Sequence, residues 1–147
     1  MSARPRHPGA AAVGRLAELP PIERQVIRCL RLWSDGPGGP EALRDELAAR
    51  HGQGPAGRLL ADFDDLMRTT AGHARRPLLG HAPDCPCAGG DECVFARFVA
   101  LAAEGAREDA VLMAALLVRA DVALCLAGLA ESVGLGLMRG AEPRIVQ

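Results

Sequence analysis

His81, Cys85, Cys87 and Cys93 fall within one short run, His81-Ala-Pro-Asp-Cys85-Pro-Cys87-Ala-Gly-Gly-Asp-Glu-Cys93. One imidazole and three thiols form a ligand set that structural zinc takes in a closed tetrahedron. Pro86 restrains φ between the two nearest cysteines, and Gly89 and Gly90 let the chain turn back toward Cys93. Cys93, near the start of the helix that follows, would have its thiolate favoured by the helix dipole, and a thiolate is what a metal requires. Arg75 and Arg76, just upstream, would offset the negative charge that three thiolates leave around a divalent ion. His81 is the least firmly placed of the four ligands. His73 could take its position, and water there would open the site to catalysis or sensing.

The same thiols allow a second chemistry, reversible oxidation among Cys85, Cys87 and Cys93. Cys85-Pro86-Cys87 resembles the redox pair of some thiol oxidoreductases, and C-x-C pairs also occur in zinc-held redox-switch chaperones. The second C-x-x-C pair of those chaperones is missing here. Cys29 and Cys125 lie on or beside apolar helix faces and read as small core hydrophobes. Other catalytic arrangements are not visible: there is no Gly-rich phosphate loop, no G-x-S-x-G and no H-E-x-x-H. Ser2, Ser34 and Ser132 are the only serines, and the acidic neighbours Asp64–Asp65 and Glu108–Asp109 point in different directions on helices. Enzymatic activity is therefore reachable only through the metal.

Positioning this run falls to helices. Ile22, Val26, Cys29, Leu30 and Trp33 recur at helical spacing and predict a first helix over about 21–34, with Glu23, Arg24, Arg28 and Arg31 mostly on its other side. The tract Asp35-Gly-Pro-Gly-Gly-Pro40 breaks it. Pro40 suits the first position of a second helix, about 41–50, which buries Leu43 and Leu47. A third begins near Pro55, carries Leu59, Leu60, Phe63, Leu66 and Met67 on one face, and should end before Gly72. Residues 71–91 lack helical periodicity and are longer than most loops in compact domains. Asp91 is the expected N-cap of a fourth helix with Val94, Phe95, Phe98 and Leu101, stopped by Gly105. Residues 107–137 read as an apolar helical hairpin with Asp121 as a cap. No sustained period-two alternation predicts a strand, and no repeat is evident.

Composition bounds the rest. The chain has 147 residues and a formal charge of −1, so there is no global field to attract nucleic acid or an anionic membrane. All 17 basic residues are arginine, a bias that fits G- and C-rich codon usage. The first fifteen residues lack the apolar core of a signal peptide, and 110–138 are interrupted by Arg119, Asp121 and Glu131, which argues against a bilayer span and for a cytoplasmic location. An odd cysteine count without a secretory signal disfavours a disulfide framework.

The sequence therefore predicts an all-α domain, a compact bundle of five or six helices over 19–141. A long Cys/His metal-binding loop at 73–93 joins helices 3 and 4, a flexible arm precedes the domain at 1–18, and a tail follows at 142–147. Its expected role is a regulatory or adaptor protein-binding module with a structural zinc held by His81, Cys85, Cys87 and Cys93. The alternatives are a thiol-based redox or metal sensor, and a helix-turn-helix-like DNA-binding regulator. The last is disfavoured because Asp62, Asp64 and Asp65 sit on the helix that would enter the groove. The broad apolar stripe of the last two helices suggests a homodimer.

Overall fold

Proline and glycine set most of the helix boundaries in the computed structural model, which describes residues 8–139. Two short strands, β1 (Ala12–Arg15) and β2 (Cys87–Gly89), accompany six α-helices among these residues: α1 (Pro21–Trp33), α2 (Gly39–His51), α3 (Gln53–His73), α4 (Gly90–Glu104), α5 (Arg107–Leu117) and α6 (Ala120–Arg139). Pro21 occupies the first position of α1, where its missing N–H costs no hydrogen bond. Gly105, in the left-handed region at φ 84°, closes α4 as expected.

The bundle is built around α6, which packs on α3, α4 and α5, while α1 lies against α4 and α2. By length and composition α6, with a hydropathy of 1.6, could cross a membrane. In this fold Ala123, Leu126, Ala130, Val133 and Leu137 are instead buried in the protein core. A Cβ on Gly134 would lie 2.6 Å from that of Ala103 and 3.1 Å from the Val99 carbonyl, so glycine is what lets α6 approach α4 this closely. Phe63, Phe95 and Phe98 fill the centre. Phe63 and Phe95 meet edge to face with centroids 6.5 Å apart at 88°, and Phe95 meets Phe98 at 6.3 Å.

Several boundaries depart from the expected ones. Helix α2 begins two residues before Glu41, and α3 runs through Gly72 to His73. That end of α3 is extended by tertiary contacts: Ala74 bridges Val118, the Arg75 amide donates to the Leu117 carbonyl at 3.0 Å, and the Arg119 amide donates to the His73 carbonyl at 3.2 Å. The helical hairpin of α5 and α6 turns at Val118 and Arg119, and Asp121 falls in the first turn of α6.

The largest difference is at the N-terminal side. Residues 8–18, expected as part of a flexible arm, form a 3-10 turn, β1 and a second 3-10 turn. β1 pairs antiparallel with β2, Arg15 opposite Cys87 and Gly14 opposite Ala88, with a bulge between Ala12 and Gly14. The Leu16 amide also donates to the Pro86 carbonyl at 2.9 Å, and that of Gly90 to the Ala11 carbonyl at 3.0 Å. Strands of three and four residues are too short for period-two patterning to register, and here backbone pairing outweighs weak local propensity. The rest of the expected arm, 1–7, and the expected tail, 142–147, lie outside the described residues.

Because Phe95 is fully buried and touches both other rings, Phe95→Ala should lower the free energy of unfolding by about 3–5 kcal/mol. Urea melts would show it; a loss below about 1 kcal/mol would contradict this packing.

Candidate metal and thiol site

The loop carrying the cysteines is organised from below by one arginine. Arg31, in the last turn of α1, and Glu92, in the first turn of α4, form an ion pair at 2.8 Å with both side chains fully buried. The guanidinium meets the carboxylate through two N–H groups, Nε at 2.8 Å and Nη2 at 2.9 Å. It also donates to the carbonyl of Cys85 at 2.7 Å and to that of Cys87 at 2.6 Å. With the Leu16 amide on the Pro86 carbonyl, all three carbonyls of Cys85-Pro86-Cys87 accept a hydrogen bond. Arg28, one helical turn earlier, donates to the Pro83 carbonyl at 3.2 Å, and the Cys85 amide closes a turn onto the Ala82 carbonyl at 3.0 Å.

Glu92 completes the clamp by accepting the amides of Gly89 at 3.0 Å and His81 at 3.0 Å. Burial pushes its pKa up, but hydrogen bonds from Arg31, Gly89 and His81 and the charge of Arg31 outweigh it and hold the carboxyl below its usual value. Its neighbour Asp91 is not the N-cap; Gly89 is. The Asp91 carboxylate instead takes a bidentate pair from Arg76, at 2.9 and 2.6 Å, and the Leu79 amide at 2.9 Å. Two adjacent carboxylates at the start of α4 thus bind the two ends of the preceding loop.

The four ligand candidates are not brought to one point. His81 and Cys85 are brought together, Nδ1 lying 3.6 Å from Sγ. The other ring nitrogen, Nε2, is 2.8 Å from the Ala10 carbonyl. A carbonyl only accepts, so Nε2 carries a proton, and the tautomer this contact selects has its lone pair at Nδ1, toward the thiol. Gly89 is needed beside it, because a Cβ there would be 2.9 Å from the imidazole. A hollow of 250 Å³ bordered by Arg31, Ser34, Asp35, Gly80, His81 and Pro83 opens next to the ring.

Cys87 is half-buried at the start of β2. Cys93, placed in the first part of α4, packs against the hydrophobic core. Its thiol is pushed up by burial and by the carboxylates of Glu92 and Glu23, so the expected gain from the helix dipole is overridden. Among the described residues no three His, Cys, Asp or Glu side chains converge as a metal site. His73 is engaged elsewhere, its Nδ1 3.0 Å from Arg119. The arginines expected to offset the thiolates are also occupied, Arg76 by Asp91 and Arg75 by the Ala115 carbonyl at 2.8 Å. Cys29 is buried with its thiol pushed up to about 12 by desolvation, as fits a core cysteine, whereas Cys125 is exposed.

Arg31 and Glu92 are the residues that sequence reasoning missed. Helical spacing predicts Arg31 on the polar side of α1, yet both flanks of that helix are buried, Val26, Ile27 and Leu30 to Leu32 alike. The available signal was its position inside an apolar run, Cys29-Leu30-Arg31-Leu32, with an unspent Asp-Glu pair at the start of α4. Comparison of the chain with known protein families, with curated proteins and with solved structures finds no match.

Removing Arg31 strands a buried carboxylate and unpairs two part-buried carbonyls, so Arg31→Met should cost about 3–5 kcal/mol of stability in urea melts. Arg31→Lys should lie between that variant and the native protein, because an ammonium keeps the charge and loses the fork. Glu92 is held below its usual pKa, so its ionised form stabilises the fold above the ordinary glutamate range. That contribution is lost as pH falls through the depressed value. Melts taken at decreasing pH should show this acid limb, and Glu92→Gln should flatten it.

Proposed function

We propose that the protein is a small regulatory or adaptor module whose loop at 81–93 takes up zinc through His81, Cys85 and Cys87, on a framework that ionic contacts fold beforehand. The observation that carries this reading is the His81–Cys85 pair. For Zn–N and Zn–S bonds of usual length at a tetrahedral angle, the two donor atoms stand about 3.6 Å apart. Nδ1 and Sγ are 3.6 Å apart. The Ala10 carbonyl on Nε2 is the kind of outer partner that fixes the tautomer of a ligating histidine. Cys87, two residues from Cys85 and half-buried, is the nearest further thiol in the chain, and Cys93, equally half-buried but packed against the core with its thiol pKa pushed up, is left out of the set. Bound zinc would supply a cross-link between loop and strand and hold both thiols as thiolates. Arg31 and Glu92 keep the loop backbone in place whether or not it is present.

The test is uptake. One zinc per chain should bind in a titration competed by a chromophoric chelator, and His81→Ala and Cys85→Ser should each abolish it. Chelator should lower the melting temperature only slightly, since the clamp remains. Failure of the native chain to bind with a Kd below about 1 μM would overturn the reading.

A second reading, a thiol redox switch, is favoured by the same contact, because an imidazole lone pair facing a part-exposed thiol can accept its proton. Peroxide would then oxidise Cys85, and Cys87 would displace water from the resulting sulfenic acid to give a disulfide. Mass spectrometry after peroxide separates the two readings: a Cys85–Cys87 disulfide that forms equally fast with and without zinc supports the switch.

The adaptor element rests on exposed leucines of the C-terminal helices. Leu112 and Leu116, four residues apart on α5, are 68% and 64% exposed, and Leu124 on α6 is 65% exposed. A second copy of this chain is the occupant proposed for them, since symmetric dimers are the commonest of soluble oligomers. Sedimentation should show a dimer that Leu112→Glu with Leu116→Glu converts to monomer, and a native monomer at about 100 μM would dismiss it.

A further inference from the structure

Helix α6 is apolar along its length and only partly covered, since 44% of its most apolar stretch is buried. Between Asp121 and Arg139 it carries one other charge, Glu131, which meets Arg107 of α5 at 3.9 Å. Leu124, Leu135 and Met138 are exposed on its outer side, and so are Cys125, Gly128 and Ser132. Leu124 and Gly128 border a hollow of 200 Å³ together with Arg107 and Ala110 of α5. The outer side of α6 therefore adjoins the helix that carries the exposed Leu112 and Leu116.

This face is complementary to itself. At 3.6 residues per turn Asp121 and Arg139 stand about five full turns apart and project in one direction, and Cys125, Gly128, Ser132 and Leu135 fall within about 40° of that line. An acid thus marks one end of an otherwise uncharged stripe and a base the other. Asp121 is held only by Arg119 at 3.7 Å, with both side chains more than half exposed. Arg139 has no carboxylate partner among the described residues. Gly128, near the middle, has no role in the monomer: a glycine inside a helix costs stability relative to alanine, yet a Cβ there would meet nothing. Gly134 differs, because its Cβ would strike Ala103 and the Val99 carbonyl.

We propose that α6 packs antiparallel against α6 of a second copy of this chain, about a two-fold axis that crosses midway between Gly128 and Ser132. The inference rests on the self-association proposed above and assigns its helix, direction and register. In this register Gly128 faces the partner's Ser132, Cys125 faces the partner's Leu135, and Asp121 faces the partner's Arg139, each contact made twice by symmetry. Leu124 then lies beside the partner's Leu135. The positive start of each helix also meets the negative end of the other. Glycine at the crossing lets the two backbones approach closely. A parallel pair would instead set Asp121 on the partner's Asp121 and Arg139 on the partner's Arg139, with like charges opposed.

Sedimentation of the full chain under reducing conditions tests the arrangement. The native chain should be a dimer at about 100 μM. Asp121→Arg alone and Arg139→Asp alone should each raise the dimer Kd on the order of fivefold, and the two combined should restore it. Gly128→Leu should raise the Kd on the order of tenfold or more, with an unchanged circular dichroism spectrum because position 128 is open in the monomer. Leu135→Cys treated with oxidised glutathione should give covalent dimers, joined from position 135 to the partner's Cys125 and mapped by mass spectrometry. Cys125 and the partner's Cys125 would stand about 15 Å apart along the helices, so the same treatment should leave the native chain unlinked there. A bond between those two cysteines overturns the antiparallel order. So does a combined charge reversal that fails to recover, or a Gly128→Leu dimer of native affinity, and in each of these cases the dimer itself stands. A native monomer overturns both the arrangement and the dimer beneath it. Should that monomer sediment with phosphatidylcholine vesicles, the face belongs to a lipid surface instead.

Discussion

One buried ion pair, Arg31 with Glu92, carries the architecture of the cysteine loop. An isolated buried charge is expensive, and a pair recovers the cost only when its remaining donors and acceptors are also met. Here they are met by the loop itself: the carbonyls of Cys85 and Cys87 take the spare guanidinium N–H groups, and the amides of Gly89 and His81 go to the carboxylate. Helix α1, helix α4 and the loop between α3 and α4 are thereby locked to one another. Asp91 with Arg76 repeats the device nearer the surface.

This arrangement separates the backbone of the loop from its side chains. Hydrogen bonds engage the carbonyls from Cys85 to Cys87, while the three cysteines of the loop stay half-buried and Cys93 packs against the edge of the core. The chemistry of the site then depends on which nitrogen of His81 is protonated, and that is set by a single carbonyl, Ala10, on a segment that carries no reactive group of its own. The N-terminal 3-10 turn thus has a place beside the cysteine loop through its main chain alone.

The helices were legible in the sequence because their apolar residues repeat at helical spacing and because Pro21, Pro40 and Gly105 punctuate them. The run at 81–93 stands out in the sequence by residue type alone. What holds it does not, because a buried arginine and a buried glutamate have no periodic signature, and each looks like a solvated charge until the other is placed beside it. The short strands escaped for a related reason. Ala12 to Arg15 and Cys87 to Gly89 have little intrinsic preference for extended structure, and their pairing is decided by contacts distant in the chain.

The clamp also has an order in time. Arg31 reaches its partners across 54, 56 and 61 residues of chain. Contacts of such separation pay their loop-closure entropy before any stabilisation returns, so they form late in folding, after the local helices. Until α1 and α4 meet, the three thiols of the loop belong to an unstructured segment in which any pair of them, or any soft metal ion, can find one another. The arginine therefore does more than fix a final geometry, because its arrival ends the interval in which the cysteines are free to choose their own partners.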